Sequence, residues 1–248
     1  MRKLAVIPAR YGSSRFEGKP LALINSEPMI VWVYRAVEGS QLFDKTVIAT
    51  DDERIFDAAS TYGAEVLMTS SELSCGTQRC KAALELLEQR GETYGITVNI
   101  QGDEPLIKKE QMERVLEGFS DENTDIVTLA KRIEREEEFV DTNVVKAVFA
   151  RNGKALYFSR SPIPYGRQTG GFNAEAFKHI GIYAFRSDVL KKLCLLKESR
   201  LERTEKLEQL AWLENGFNIM VKQTDIDSVG VDTPADLENV IKLINNIQ

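Results

Sequence analysis

The stretch LAVIPARYGSSRFEGK, from Leu4 to Lys19, sets the reading of the whole chain. Leu4-Ala5-Val6-Ile7 is a short apolar run of the kind buried on both faces of a parallel sheet. It breaks at Pro8 into a loop that carries Gly12, Ser13, Ser14 and Gly18 between Arg10, Arg15 and Lys19. Small residues let backbone N–H groups approach phosphate oxygens, and fixed cations neutralise their charge. A strand feeding such a loop is how α/β proteins hold phosphates. The spacing is neither the GxGxxG dinucleotide pattern nor the GxxxxGK[ST] phosphate loop, because no Ser or Thr follows Lys19. The bland alternative is a solvated basic surface loop, although three cations so close to the first strand are unusual decoration.

Working outward, the first half alternates strands with helices. Pro28 fits the first position of a helix to about Glu38. Thr46 to Ala49 reads as a second strand, and Asp51 or Asp52 caps a helix to about Tyr62. Glu65 to Met68 is a third strand, followed by a loop from Thr69 to Gly76 and an amphipathic helix to about Arg90. Thr97 to Ile100 is a fourth strand, running into Gln101-Gly102-Asp103-Glu104-Pro105. This alternation implies a parallel sheet with helices on both faces, where ligands bind beyond the carboxyl ends of the strands. Both the basic loop and Asp103 lie at such ends, so one site is expected to use both.

The second half is richer in strands: Ile126 to Lys131, Val144 to Phe149, Ala155 to Phe158 and Ile180 to Phe185. These imply antiparallel or mixed additions. Gly166 to Asn173 is a glycine-rich loop, and Leu201 to Asn215 reads as one charged helix that Gly216 terminates. Ile219 to Val221 returns a strand, and Thr233 with Pro234 opens a closing helix to about Ile244.

At 248 residues with a net charge of −6, the chain has ample core and no broad affinity for nucleic acid or anionic membranes. The apolar run after Met1-Arg2-Lys3 is too short for a signal peptide before Arg10 interrupts it, and no run is long enough to cross a bilayer. Cys75, Cys80 and Cys194 show no metal-like clustering and suit a reducing cytoplasm.

Asp103, where a strand leaves the sheet opposite a basic loop, is best explained as holding Mg²⁺ against phosphate oxygens, a task that takes one or two carboxylates. Asp232 in Gly230-Val231-Asp232-Thr233-Pro234 is the second candidate; the lesser alternative is that it caps the last helix. Glu104 supports the turn or joins the pair. Ser74 or Thr77 reads as a helix cap. Arg160 at a strand end is either a carboxylate clamp or a surface arginine. His179, the single histidine, reads first as structural, and Glu208-Gln209 as part of a solvated face.

Several of these segments carry a resemblance. PARYGSSRFEGKPLALINSEPMI, VNIQGDEP, ALYFSR with IP, HIG-x-Y, LEQL and GVDTPADLE resemble the signatures of cytidylyltransferases that activate keto-acid sugars, and above all the 3-deoxy-manno-octulosonate (Kdo) cytidylyltransferase, or CMP-Kdo synthetase, family. The likeness runs nearly end to end. It implies an α/β fold of the nucleotide-diphospho-sugar transferase type: a Rossmann-like, mostly parallel sheet (about 1–130 and 217–248) with a smaller mixed-strand part (about 131–216) for sugar binding and dimerisation. The implied reaction is CTP plus a keto-acid sugar giving the CMP-sugar and pyrophosphate, in the cytoplasm, for lipopolysaccharide biosynthesis, by a homodimer.

The site residues that the resemblance implies follow the same segments. CTP falls to Pro8, Ala9, Arg10, Gly12, Ser13, Arg15, Lys19, Cys75, Gly76 and Arg79, and Mg²⁺ to Asp103 and Asp232. Lys19 and Arg10, with the two aspartates, are the catalytic set. Gln101, Arg160, His179, Tyr183, Glu208 and Gln209 hold the sugar. Leu73, Cys75, Gln78 and Ala211 depart from the family pattern, which has histidine, serine, an acid and arginine at these places. Leu73, Gln78 and Ala211 fall in segments associated with base or sugar and leave the metal and phosphate machinery intact. They motivate an alternative substrate, 8-amino-3,8-dideoxy-manno-octulosonate. A nucleotide-binding regulatory module without catalysis is a reading from another class.

Overall fold

The computed structural model describes residues 1–12, 15–172 and 175–246 and divides the chain into two compact units, Met1–Lys109 with Ser228–Gln248, and Glu110–Asp227. The sequence places the divisions near residues 130 and 216. They fall outside that interval because the strands on either side of it pair within the second unit.

The first unit is built on four parallel strands. β1 (Lys3–Ala9) lies between β4 (Lys45–Thr50) and β6 (Ile96–Asn99), with β5 (Val66–Met68) beyond β4. Leu4 pairs with Lys45 on one side and Thr97 on the other. Leu4, Ala5, Val6 and Ile7 are wholly buried, as an apolar run covered on both faces must be. A small hairpin, β2 (Leu23–Ile24) with β3 (Glu27–Pro28), precedes α1 (Met29–Ser40). Pro28 is therefore not the first helical residue: it pairs with Leu23, and its extended ψ of 139° caps the helix from outside.

α2 (Glu53–Thr61) is capped by Asp52, which accepts from the backbone N–H of Arg54. α3 (Gly76–Gln89) begins after Cys75, and no side chain caps it. The expected Ser74 or Thr77 cap is not formed. Instead the Gln78 amide oxygen reaches back to accept from the Ser74 N–H at 2.9 Å, closing the turn one position earlier. The C-terminal helix (Pro234–Asn245) is capped by Thr233 in a reciprocal box with Asp236. Asp232 is thereby left out of the capping role that the sequence allowed it.

The second unit opens with α4 (Lys109–Glu117). It holds β7 (Ile126–Arg132), α5 (Glu136–Val140), β8 (Lys146–Phe149), β9 (Ala155–Ser159), β10 (Phe177–Arg186) and α6 (Ser187–Leu193). α7 (Arg200–Glu205), α8 (Glu208–Glu214) and β11 (Ile219–Gln223) complete it. β10 runs antiparallel to β7 and β8, β8 antiparallel to β9, and β11 parallel to β7, which is the mixed pattern expected.

The single helix expected from Leu201 to Asn215 is two. Lys206 turns into the left-handed region at φ +53° and Leu207 is extended, so the chain breaks between α7 and α8. The Arg160 side chain donates to the carbonyls of Glu205 at 2.8 Å and Lys206 at 3.5 Å, groups that an unbroken helix would have used for its own ladder.

Candidate active site

Two glycines shape the first unit's cleft. Gly18 has φ +69°, and its N–H donates to the Tyr11 carbonyl at 2.9 Å, folding the basic loop back on itself. A Cβ there would press on the Tyr11 ring at 3.1 Å. Gly102 passes so close to the end of β1 that a Cβ would stand 2.7 Å from the Pro8 carbonyl oxygen. The turn after β6 thus lies directly against the mouth of the loop after β1.

The resulting cavity, about 320 Å³, is lined by Pro8, Ala9, Arg10, Gly12, Arg15, Lys19, Cys75, Gly76, Arg79, Gln101, Gly102 and Asp103. Every residue expected to bind CTP is there except Ser13, which lies outside the described residues. Gln101, expected to meet the sugar, lines the same cavity. The Lys19 ammonium sits 2.6 Å from Asp103 Oδ2 and 3.3 Å from Asp232 Oδ1, and Arg15 Nη2 is 3.0 Å from Asp232 Oδ2. The Val231 N–H donates to the Asp103 carbonyl at 2.9 Å, so backbone ties the two acidic segments together.

The other cations differ in what they have left to give. Arg10 donates to the Ser74 carbonyl at 3.2 Å and has no acidic partner among the described residues. Arg79 is almost wholly buried, with its guanidinium on Asp51 at 3.0 Å and Thr69 at 2.5 Å. It forms cavity wall, its charge already neutralised. Asp51 entered the sequence reading only as an alternative cap of α2, and Thr69 only as the start of a loop; since Asp52 makes the cap, Asp51 is left to pair with Arg79. Glu104 is buried with its carboxyl pushed up to about 7, by burial and by the charge of Asp103, against a hydrogen bond with Ser228. It braces the turn.

This donor set fits Mg²⁺. Two carboxylates already converge on one cationic nitrogen beside a basic cavity, and hard oxygens from one or two carboxylates, completed by water and phosphate, are what that ion takes. Among the described residues no cluster of three or more His, Cys, Asp or Glu offers a fully protein-made metal cage.

In the second unit His179 and Tyr183 lie on β10, while Arg160 follows β9 and Glu208 and Gln209 open α8. The Thr128 hydroxyl donates to the Ile182 carbonyl at 2.8 Å, so it accepts from His179 Nε2–H at 2.9 Å. That fixes the tautomer and leaves Nδ1 as the acceptor. Burial pulls the imidazole down to about 4, so it is neutral near pH 7. The ladder shifts register between Ile180 and Tyr183, and the His179 and Tyr183 rings lie 5.2 Å apart.

Tyr183 packs edge-on against Trp212 at 5.1 Å, and its buried hydroxyl has no hydrogen-bond partner among the described residues. Burial, with the charge of Glu208 added, pushes that phenol well above its usual range. Gln209 is 5% exposed on α8. An orphaned phenol, a neutral imidazole acceptor and a carboxylate form a set suited to sugar hydroxyls. Sequence reasoning missed Thr128, whose partner is set only by the β7–β10 register.

Comparison with known proteins follows the same lines. A family model described as cytidylyltransferase matches residues 4–225. The chain is 48% identical to the 3-deoxy-manno-octulosonate cytidylyltransferase of Thermodesulfovibrio yellowstonii over 252 residues, covering 99% of both chains. It is 44% identical to the protein of the same name from Parabacteroides distasonis, again over 99% of both. A solved structure described as CMP:2-keto-3-deoxy-manno-octonic acid synthetase complexed with CTP matches with a TM-score of 0.92 at 39% identity, over 100% of both chains.

Proposed function

We propose, from the premise that the chain belongs to the CMP-Kdo synthetase family of cytidylyltransferases, that it joins CTP to Kdo to give CMP-Kdo and pyrophosphate. The observation that carries this is the meeting of Asp103 and Asp232 on the Lys19 ammonium beside a cavity lined by Arg10 and Arg15. A lone phosphate-binding loop would not need the two carboxylates.

In this reading the first unit holds the triphosphate. Arg10, which has no acidic partner among the described residues, and Arg15 would take its oxygens, and the backbone N–H groups from Ala9 to Gly12, with the small residues Ala9 and Gly12, would let it approach. Asp103 and Asp232 would hold Mg²⁺. When bound, Mg²⁺ supplies neutralisation of phosphate oxygens and a lowered pKa for a nearby hydroxyl. Lys19 keeps its ammonium at the point where charge on the departing pyrophosphate develops, and Arg10 shares that work.

The second unit holds the sugar. Arg160 takes the carboxylate, and His179 Nδ1 accepts from a sugar hydroxyl. The Tyr183 hydroxyl, buried without a partner, donates to a sugar oxygen. Glu208 and Gln209 take further hydroxyls. The 2-hydroxyl then attacks the α-phosphorus in line, one P–O bond forming as the bond to pyrophosphate breaks. Positioning and charge neutralisation, rather than a dedicated base, drive the step. A homodimer in the cytoplasm completes the proposal.

The same reaction on 8-amino-3,8-dideoxy-manno-octulosonate is the second reading, favoured by Leu73, Gln78 and Ala211. Two of these have structural work of their own. The Gln78 oxygen closes the turn at Ser74, and Ala211 is packed at 3% exposure in α8. That, with relatives bearing the Kdo name, supports Kdo as the principal substrate. The test is a mass spectrum of the products from CTP, Mg²⁺ and each sugar. The proposal predicts CMP-Kdo. Tight CTP binding with no CMP-sugar from either substrate would instead make the chain a regulatory module.

A further inference from the structure

Lys146 is the most deeply buried cation of the second unit, with no exposed surface at all. Its ammonium has no carboxylate partner among the described residues. It spends its three N–H donors on backbone carbonyls: Asp141 at 2.9 Å, Val144 at 2.6 Å and Arg160 at 2.6 Å. Burying an ammonium costs several kcal/mol unless every donor is satisfied, and an apolar residue would fill the start of β8 without that cost. What the lysine adds must therefore lie in what it holds.

It holds both sides of one arginine. The carbonyl of Arg160 itself is one acceptor, and the segment from Asp141 to Val144 supplies the other two. That segment also places the Thr142 carbonyl 3.0 Å from Arg160 Nη1. From the opposite side, Glu205 accepts the Arg160 backbone N–H at 2.9 Å and the Ser159 hydroxyl at 2.6 Å, while its own carbonyl takes Arg160 Nε–H at 2.8 Å. The Lys206 carbonyl stands 3.5 Å from Nη2. The guanidinium is thus oriented by neutral carbonyls alone. Among the described residues no carboxylate bonds it directly, and two of its five N–H donors remain. A fixed guanidinium bonded to carbonyls alone, with spare donors, is built for an anion, and two parallel N–H bonds match a carboxylate.

We propose that Lys146 is a positioning residue for Arg160, locking the guanidinium in the orientation that grips the carboxylate of the keto-acid substrate. This rests on the proposed function and adds to it a residue that never touches substrate. An exposed arginine free to swing would bind the same anion only after losing its rotamer freedom; here the fold has already fixed it.

The test is carboxylate discrimination: kcat/KM for the keto-acid sugar divided by kcat/KM for its carboxamide, in the full-length protein with CTP and Mg²⁺. The ratio does not depend on how much enzyme is folded. Lys146→Met should lower it by about ten- to a hundredfold, the worth of hydrogen bonds to a charged group, with KM for CTP nearly unchanged. In an Arg160→Lys background the same substitution should lower it little further. Should Lys146→Met not fold, Lys146→Gln, which keeps a donor, is read by the same ratio. Unchanged discrimination in the soluble Lys146 variant, with kcat and both KM values altered together, would overturn the positioning role. A wild-type enzyme that treats acid and amide alike would overturn the carboxylate grip, and one that turns over neither sugar would overturn the functional reading itself.

Discussion

Lys19 is held by two carboxylates at 2.6 and 3.3 Å, and in the proposed reaction a cation so placed would do two things: keep Asp103 and Asp232 together before metal arrives, and supply charge during transfer. Lys19→Met should therefore cost about 10²–10³ in kcat, the scale of losing one preorganised charge donor, while CTP still binds through Arg10 and Arg15. A variant whose kcat is unchanged would show the lysine to be a mere tether. His179 gives a second prediction at this scale. Its folded value of about 4 lies below the ordinary 6.5, so the neutral ring contributes stability that is present above 6.5 and is lost as the pH falls toward 4. The loss is at most about 3 kcal/mol. Urea midpoints measured at about pH 7.5 and about pH 4.5 should fall less in His179→Gln than in wild type. Equal falls would contradict the assignment. The residue types themselves were readable from the sequence; that His179 is neutral and Nε2-protonated was not, because Thr128 meets it only through the pairing of β10 with β7.

Elements place these residues through close contacts that a one-dimensional pattern does not show. Gly102 lets the turn after β6 pass against the end of β1. Gly102→Ala would put a methyl 2.7 Å from the Pro8 carbonyl and 3.1 Å from Ile30 Cδ1, neither free to leave. The expected result is destabilisation by about 1–3 kcal/mol together with weaker CTP binding, read by urea melts and calorimetry. A stable variant with unaltered affinity would mean the turn is free to move. Lys206 makes the opposite prediction. It holds φ +53° where glycine pays no Cβ penalty, so Lys206→Gly should stabilise by about 0.5–1 kcal/mol. The alternation of β1, β4, β5 and β6 with helices was legible because buried parallel strands are continuous apolar runs. The break between α7 and α8 was not, since Leu201 to Asn215 has helical composition throughout and the interruption comes from Arg160, some forty residues away in sequence.

At the scale of the whole molecule, the proposed reading assigns CTP to the first unit and the sugar to the second. The cavity that carries the phosphate and metal candidates belongs to the first, and His179, Tyr183 and Arg160 belong to the second. The placing of Asp103 and Asp232 could be anticipated, since both segments follow strands or precede a helix at the expected edge. The division at Glu110 and Asp227 could not, because it follows from β7 and β11 pairing with each other, which their sequences do not announce. The central proposed chemistry is CTP and Kdo meeting a metal that Asp103 and Asp232 would hold. The direct measurement is the rate of pyrophosphate release from CTP and Kdo as Mg²⁺ is titrated, for wild type and Asp103→Asn side by side. The account predicts a rate that saturates with Mg²⁺, vanishes in excess chelator and falls at least ~10² in the variant. A rate indifferent to chelator, or undiminished in Asp103→Asn, would contradict it.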